Sequence, residues 1–198
     1  MLTLLHSVGW IFCVICSTIP AFWMSIHSRP EYWRSRRRSP YRILLPIWVG
    51  MWIVAAAATA PWRAVLLYEN RWSWIPAGVL FCCGLLLYKL SHSSFTLAQL
   101  GGLPEIRGEH SQQPLVTTGI RSRVRHPVYL AHLCEMLAWS LGTGVAVCWT
   151  LTALAIVTGA VMIRMEDKEL EDRFGDEYRR YRSTVPAVLP LRPHRPWQ

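Results

Sequence analysis

The chain carries no glycine-rich phosphate-binding fingerprint, so nothing in it points to a dinucleotide fold built on a G-x-G-x-x-G turn. It also has no long repeats and no low-complexity linkers, which argues against a solenoid or a string of tethered modules. Charge is scarce: Asp and Glu together number 12 in 198 residues, and charged side chains make up 17% of the whole. No basic residue precedes the first apolar run and no small-residue cleavage site follows it, so the run reads as a membrane helix rather than a signal peptide. Cysteine is limited to six residues, all inside apolar stretches, where they behave as small buried hydrophobes. Cys13 and Cys16 have C-x-x-C spacing, but a thiol pair inside a lipid-facing helix is a weak metal or redox signal, and no metal site is expected.

What the sequence has in quantity is apolar surface. Hydrophobic residues account for 52% and Trp for 11 positions. They fall in five blocks, residues 2–26, 43–60, 72–90, 128–141 and 145–163. Most approach the length a helix needs to cross ~30 Å of hydrocarbon. The fourth is short, since a helix of about 14 residues rises only ~21 Å. The fourth and fifth are separated by Gly142-Thr143-Gly144 and read as a tight helical hairpin. The expected fold is all-α and integral to the membrane, with five transmembrane helices, the last two a hairpin. Residues 1–91 would hold the first three helices, and residues 92–198 a loop, the hairpin and a C-terminal amphipathic helix.

The net charge of +9 invites a nucleic-acid reading, but its placement argues for membrane orientation. An alternating topology puts 19 of the 21 Lys and Arg on one side, with Arg63 and Arg71 on the other. The positive-inside rule then sets the N-terminus outside and the basic loops and C-terminus in the cytoplasm. Trp48, Trp52, Trp62, Trp72, Trp74, Trp139 and Trp149 mostly lie near block ends, where an interfacial aromatic belt would place them.

Residues 92–125 form the long polar connection, rich in Gly, Pro and Gln and expected to be irregular. Loops of this length tend to carry function. Beyond the fifth block, residues 164–184 read as its helical continuation. Leu170, Phe174, Tyr178, Tyr181 and Val185 recur at the spacing of one helix face, and Pro186 and Pro190 end the run.

The polar groups that stand out sit at block boundaries. Arg125-His126-Pro127-Val128-Tyr129 opens the fourth helix, with Pro127 at a first-turn position where proline is preorganised. Free N–H groups and the positive end of the helix dipole make such a start a seat for an anion. His126 and Tyr129, three apart, point to one side. The hairpin brings Glu166, at the end of the fifth block, to the same depth. A carboxylate beside an anion seat suits a zwitterionic amino-acid ligand. On spacing alone, however, Arg125-His126 can equally mark the membrane interface and Glu166 a solvated helix turn.

At these residues the chain resembles the isoprenylcysteine carboxyl methyltransferase family and its phospholipid methyltransferase relatives. The matching pieces are Leu115-Val116-Thr117-Thr118-Gly119, then Arg125-His126-Pro127-Val128-Tyr129, then Glu166-Asp167. Phe174-Gly175-Asp176-Glu177-Tyr178-Arg179-Arg180-Tyr181 and Val185-Pro186 with Pro190 complete the pattern over roughly residues 113–190. The resemblance implies an S-adenosyl-L-methionine-dependent methyltransferase acting on a lipophilic substrate. The cofactor would enter from the cytosol and the substrate laterally from the bilayer. Gln113, Leu115, Val116, His126, Tyr129 and Glu166 would hold the cofactor. Arg125 is the candidate for orienting an anionic group of substrate or cofactor, because guanidinium grips such groups bidentately.

Two departures bear on the acceptor. Where family members that esterify a prenylcysteine carboxylate carry an Arg one turn before the Glu, this chain has Met162, and Arg164 lies on another face. Where an aromatic residue usually follows the Leu-Val-Thr motif, this chain has Arg121. A phospholipid amine or a thiol is therefore also a credible acceptor. Two competing readings stay open: an NADPH-dependent sterol reductase, which shares the His-Pro-x-Tyr hairpin, and a non-catalytic membrane scaffold.

Overall fold

A computed structural model describes residues 2–28, 32–33, 41–92 and 114–189. Its long elements are α1 (Leu2–His27), α2 (Tyr41–Thr59), α3 (Trp74–His92), α4 (Pro127–Thr143), α5 (Ala146–Phe174) and α6 (Asp176–Thr184). Single 3₁₀ turns at Ala60–Trp62, Arg71–Ser73 and Gly119–Ser122 join or precede them. Among the described residues there is no strand, only one isolated bridge between Leu66 and Val145.

Among the described residues, four spans are long and apolar enough to cross a membrane: Thr3–His27, Tyr41–Trp62, Arg71–Ser91 and Ala146–Phe174. Composition and packing agree on why. On α2 the buried side chain is Leu44, while Ile43, Leu45, Ile47, Val49, Ile53 and Val54 are all exposed. Water would leave that face unfavourably wetted, whereas lipid accepts it, with every helix backbone group bonded internally. The fourth expected span is the exception. α4 has 17 residues and rises ~26 Å, less than the ~30 Å hydrocarbon thickness.

α4 nonetheless packs as a central element. Its most extensive partner is α3, and α1 lies chiefly along α5. Trp10, Cys13 and Val14 of α1 meet Met136 of α4 and Val147, Cys148 and Leu151 of α5 in one buried cluster. The Ser140 and Thr152 hydroxyls bond at 2.9 Å across the α4–α5 seam. Gly84 lets α3 approach α4 closely, since a Cβ there would stand 2.8 Å from Cγ of Glu135.

The hairpin turn is built on Gly144, whose φ of 65° is a left-handed helix cap that disfavours side chains. The connection between α2 and α3 closes over it. Leu67 N donates to Gly144 O at 2.8 Å, Ala146 N to Val65 O at 2.9 Å, and the Tyr68 hydroxyl to Leu141 O at 2.8 Å. The α2–α3 connection and the α4–α5 turn therefore share one end of the bundle. At the opposite end His27 Nδ1 meets Glu169 Oε2 at 2.5 Å and joins α1 to α5.

The continuous C-terminal helix expected from the sequence is broken. α5 runs past the apolar block to Phe174, Gly175 takes φ 57°, and α6 starts in a new direction at Asp176. The apolar stripe is thereby folded on itself: Tyr178, Tyr181 and Val185 are buried against Leu170, Phe174 and Leu115.

Gly144→Ala is expected to destabilise the hairpin, because its Cβ would fall 2.3 Å from Tyr68 O in addition to the backbone strain. Strain of this kind costs about 1–3 kcal/mol. A thermal melt in detergent showing no decrease would mean that the turn relaxes freely.

Candidate active site

The site forms where the start of α4, the extension of α5 and the segment after α6 converge. Residues 125 and 126 are pinned from the backbone: Arg125 N donates to Pro186 O at 3.0 Å and His126 N to Ala187 O at 2.9 Å. Arg125 is buried, and its guanidinium faces inward. Nη1 donates to the carbonyls of Arg182 and Val185 at 3.0 and 3.2 Å, which caps the end of α6. Nη2 donates to Oδ2 of Asp167 at 2.8 Å.

Asp167 is the meeting point of these groups. Its Oδ1 accepts from His126 Nε2 at 2.9 Å and from the Tyr178 hydroxyl. Its neighbour Glu166 faces the other side of His126: Glu166 Oε2 lies 3.4 Å from His126 Nδ1 and accepts from the Tyr129 hydroxyl at 2.9 Å. The imidazole thus lies between two carboxylates, with its ring stacked 5.5 Å from that of Tyr129. Burial alone pushes the His126 pKa down. The Glu166 charge and the Asp167 hydrogen bond outweigh it, so the pKa stands above its ordinary 6.5 and the ring favours the doubly protonated form. Burial, followed by its bond to Asp167, raises the Tyr178 phenol and keeps it a donor.

Of the residues singled out from sequence, the structure brings together Arg125, His126, Tyr129 and Glu166. Leu115 packs beneath α6, and Val116 is half-buried beside it in the chain. Gln113 lies outside the described residues. Arg125 differs from expectation in its commitments: its guanidinium holds Asp167 and two carbonyls of this chain rather than standing open to a ligand.

An apolar cavity of about 240 Å³ adjoins this cluster, bounded by α1, α4, α5 and residues 188–189. Tyr129 and Met162 belong to its wall, and so does His132. His132 Nδ1 is 2.5 Å from the Tyr88 hydroxyl of α3. Taking residues 128–141 as a uniform apolar block passes over His132 and the buried Glu135. Two ionisable residues three apart inside such a block are the signal that could have found them.

Comparison with known proteins gives three partial matches. The chain is 39% identical over 59 residues to an uncharacterized protein of Haemophilus influenzae, covering 94% of that protein and 29% of this chain. It belongs to the family of that protein. It is also 37% identical over 70 residues to methanethiol S-methyltransferase 1 of Bradyrhizobium diazoefficiens, spanning 35% of this chain and 24% of that enzyme. A third match is protein-S-isoprenylcysteine O-methyltransferase B of Arabidopsis thaliana, 35% identical over 90 residues, which are 43% of each chain. The chain therefore spans less than half the length of either methyltransferase. No protein-family model matches it, and no solved structure does.

Two outcomes are expected of this cluster. Asp167→Asn leaves Arg125 buried without its counter-charge, and breaking a buried pair in this way costs about 3–5 kcal/mol. Chemical unfolding in detergent measures it, and a cost under about 1 kcal/mol would remove Asp167 from the centre of the site. The second outcome concerns pH. Because the His126 pKa is raised on folding, its stabilisation is complete below 6.5 and disappears as pH rises through the folded value. The melting temperature should decline with pH across that interval, and His126→Gln should flatten the decline. An equal slope in both proteins would assign it to other groups.

Proposed function

We propose that the protein is an integral membrane methyltransferase that uses S-adenosyl-L-methionine and acts on an apolar acceptor reaching the site from the bilayer. The observation that carries this reading is a shared wall. Tyr129 donates to Glu166 in the polar cluster and at the same time lines the apolar cavity. A polar ligand and an apolar one can thus meet at one side chain. Similarity to two methyltransferases supports the same reading.

The donor set fits the cofactor's zwitterionic end. Among the described residues, Oε1 of Glu166 accepts no hydrogen bond, so it is available to an ammonium group. In the first turn of α4, where Pro127 has no N–H, the Val128 N–H has no intrahelical acceptor and suits a carboxylate. When bound, S-adenosyl-L-methionine supplies a methyl group activated by a sulfonium. Glu166 would hold its amino-acid end, and Tyr129 and His126 would fix Glu166. Gln113, Leu115 and Val116 remain the candidates for its other contacts. Arg125 acts here as a positioning residue: it holds Asp167, which holds His126. The cavity wall is almost wholly apolar, and dispersal of a sulfonium charge favours such surroundings over bulk water.

Met162 bears on the acceptor. It is buried at 1% exposure in the cavity wall, where a carboxylate acceptor would call for a cation. A prenylcysteine carboxylate is therefore a poorer fit than an acceptor without a formal charge. The proposed topology keeps the N-terminus outside and the site on the cytoplasmic side, as the basic loops direct.

Calorimetric titration of detergent-purified protein with S-adenosylhomocysteine tests this reading, with NADPH as control. Saturable binding of S-adenosylhomocysteine alone is expected. Glu166→Ala should weaken it by roughly ten- to a hundredfold, the worth of a charged hydrogen bond at about 1.5–3 kcal/mol. Binding of NADPH alone would turn the case to a reductase. Silence from both ligands in folded protein would favour a non-catalytic scaffold.

A further inference from the structure

His132 is the polar side chain of the cavity that the proposed cofactor site leaves unused. It follows Tyr129 by three residues on α4, a rise of ~4.5 Å away from the ionic cluster, and its ring lines the same cavity. Nδ1 faces the Tyr88 hydroxyl of α3 at 2.5 Å, with the two rings edge to face. Among the described residues Tyr88 has no other hydrogen-bond partner, and Nε2 of His132 has none.

That pairing fixes the tautomer. A phenol is a stronger donor than a neutral imidazole N–H, and an imidazole ring nitrogen is a stronger acceptor than a phenol oxygen. Tyr88 therefore donates to Nδ1, and the ring proton sits on Nε2. The apolar wall keeps the ring neutral, because an imidazolium there would lack a counter-charge. Glu135, about one turn on, packs against Gly84 of α3 and is no part of that wall. His132 is thus a poor base but a ready donor, with an N–H that meets no acceptor in this chain. An unmet donor in apolar surroundings is unfavourable, and a ligand that accepts from it relieves the cost.

The wall restricts what that acceptor belongs to. Besides Tyr129 and His132 its side chains are apolar apart from the Cys16 thiol, and the Tyr129 hydroxyl already donates to Glu166. No lining side chain is a cation for a carboxylate or a carboxylate for an ammonium, so the group that meets Nε2 is uncharged. A hydroxyl or an N–H would bring a further proton into the apolar wall. A carbonyl oxygen accepts and brings none, which matches a lone donor. Ile156 of α5 and Leu189 line the cavity and are also exposed on the outside of the bundle, so the cavity has a mouth on the lipid side. Its volume of about 240 Å³ lies below the ~300–1,000 Å³ of pockets that enclose a whole drug-sized ligand. The chamber therefore takes the carbonyl end of a molecule whose apolar tail extends past Ile156 into the bilayer.

We propose that His132 is a specificity-determining residue whose Nε2–H binds the carbonyl oxygen of an uncharged, lipid-soluble molecule seated in this cavity. Tyr88 is its positioning residue: by donating to Nδ1 it keeps the proton on Nε2. Nothing is transferred at His132; the bond holds the ligand with its carbonyl about one helical turn from the polar cluster. That this ligand is the methyl acceptor rests on the methyl-transfer reading, whereas its binding can be followed without cofactor.

The test uses the full chain in detergent with ¹⁵N-labelled histidine, without cofactor. The probes are 2-undecanone labelled with ¹³C at its carbonyl and 2-methyl-1-undecene, in which a methylene group replaces the oxygen. The His132 signals are assigned by their loss in His132→Phe and their shift in Tyr88→Phe. The expected result is a resting proton on Nε2 and a carbonyl infrared stretch that falls when the ketone binds. After correction for micelle partition the ketone should bind roughly two- to tenfold more tightly than the alkene, the worth of one hydrogen bond. His132→Phe should abolish that preference. A resting proton on Nδ1, a stretch unchanged from empty micelles, or equal binding of the two probes would each overturn the proposal, as would a preference that survives in His132→Phe. Should that variant not fold, the tautomer, the stretch and the two affinities of the parent decide by themselves. Equal binding of the probes in protein that binds S-adenosylhomocysteine would sink this inference alone. Selection of the ketone by protein that does not bind S-adenosylhomocysteine would count against the methyltransferase reading alone.

Discussion

The site depends on one carboxylate, Asp167, and on what it costs to bury it. Asp167 sits at 4% exposure at the point where α5 leaves the apolar block. An ionised carboxylate there survives only with its lone pairs filled, because desolvation of a single charge otherwise costs several kcal/mol. Arg125, His126 and Tyr178 fill them. The donors come from two pieces of chain: the adjacent Arg125 and His126 at the start of α4, and Tyr178 in the first turn of α6. Satisfying one buried charge therefore fixes the relative positions of these segments. The guanidinium extends the effect by capping α6 at Arg182 and Val185.

That arrangement explains why the helix must break at Gly175. Were α5 to continue straight, Tyr178 would be carried away along its axis and could not return to Asp167, eleven residues back in sequence. The positive φ at Gly175 turns the chain so that α6 lies against the end of α5, where Tyr178 and Tyr181 are buried with Leu170 and Phe174. Charge satisfaction and apolar burial thus favour the same bend. Exposed pairs such as Arg179 with Asp176 add little by comparison, since solvent screens them.

The legible part of this architecture is the part that a local pattern can encode. Apolar block length marks α1, α2 and α3 closely and the start of α5, because span length is set by bilayer thickness. Gly142-Thr143-Gly144 marks the hairpin turn, and the hairpin in turn implies that Tyr129 and Glu166 meet, as they do at 2.9 Å. The hub role of Asp167 is not legible. Glu166 and Asp167 are adjacent and chemically alike, and only the three-dimensional register shows that one turns inward to Arg125 while the other keeps an open oxygen. The commitments of Arg125 are hidden for the same reason: a guanidinium beside a helix start looks available until its partners at residues 182 and 185 are known. The break at Gly175 is masked by a stripe whose periodicity runs straight through it.

α4 acts as a ruler for the site. It carries Tyr129 and His132 beyond His126 at intervals of three, a rise of ~9 Å from the first to the last. His126 lies between two carboxylates, Tyr129 touches one of them and the cavity, and His132 touches the cavity and α3. The surroundings therefore change along α4 from an ionic cluster at His126 to an apolar chamber at His132, while Glu135, three residues further, is buried against Gly84 of α3. Such a gradient needs a helix that neither slides nor tilts. Three fixed points hold it: Gly144 locked under residues 65–68 at one end, Arg125 and His126 bonded to residues 186–187 at the other, and Gly84 admitting α3 at close range between them. A helix held at both ends and along its flank can keep two sites of opposite polarity at constant separation, which is what the proposed transfer from a polar donor to an apolar acceptor requires.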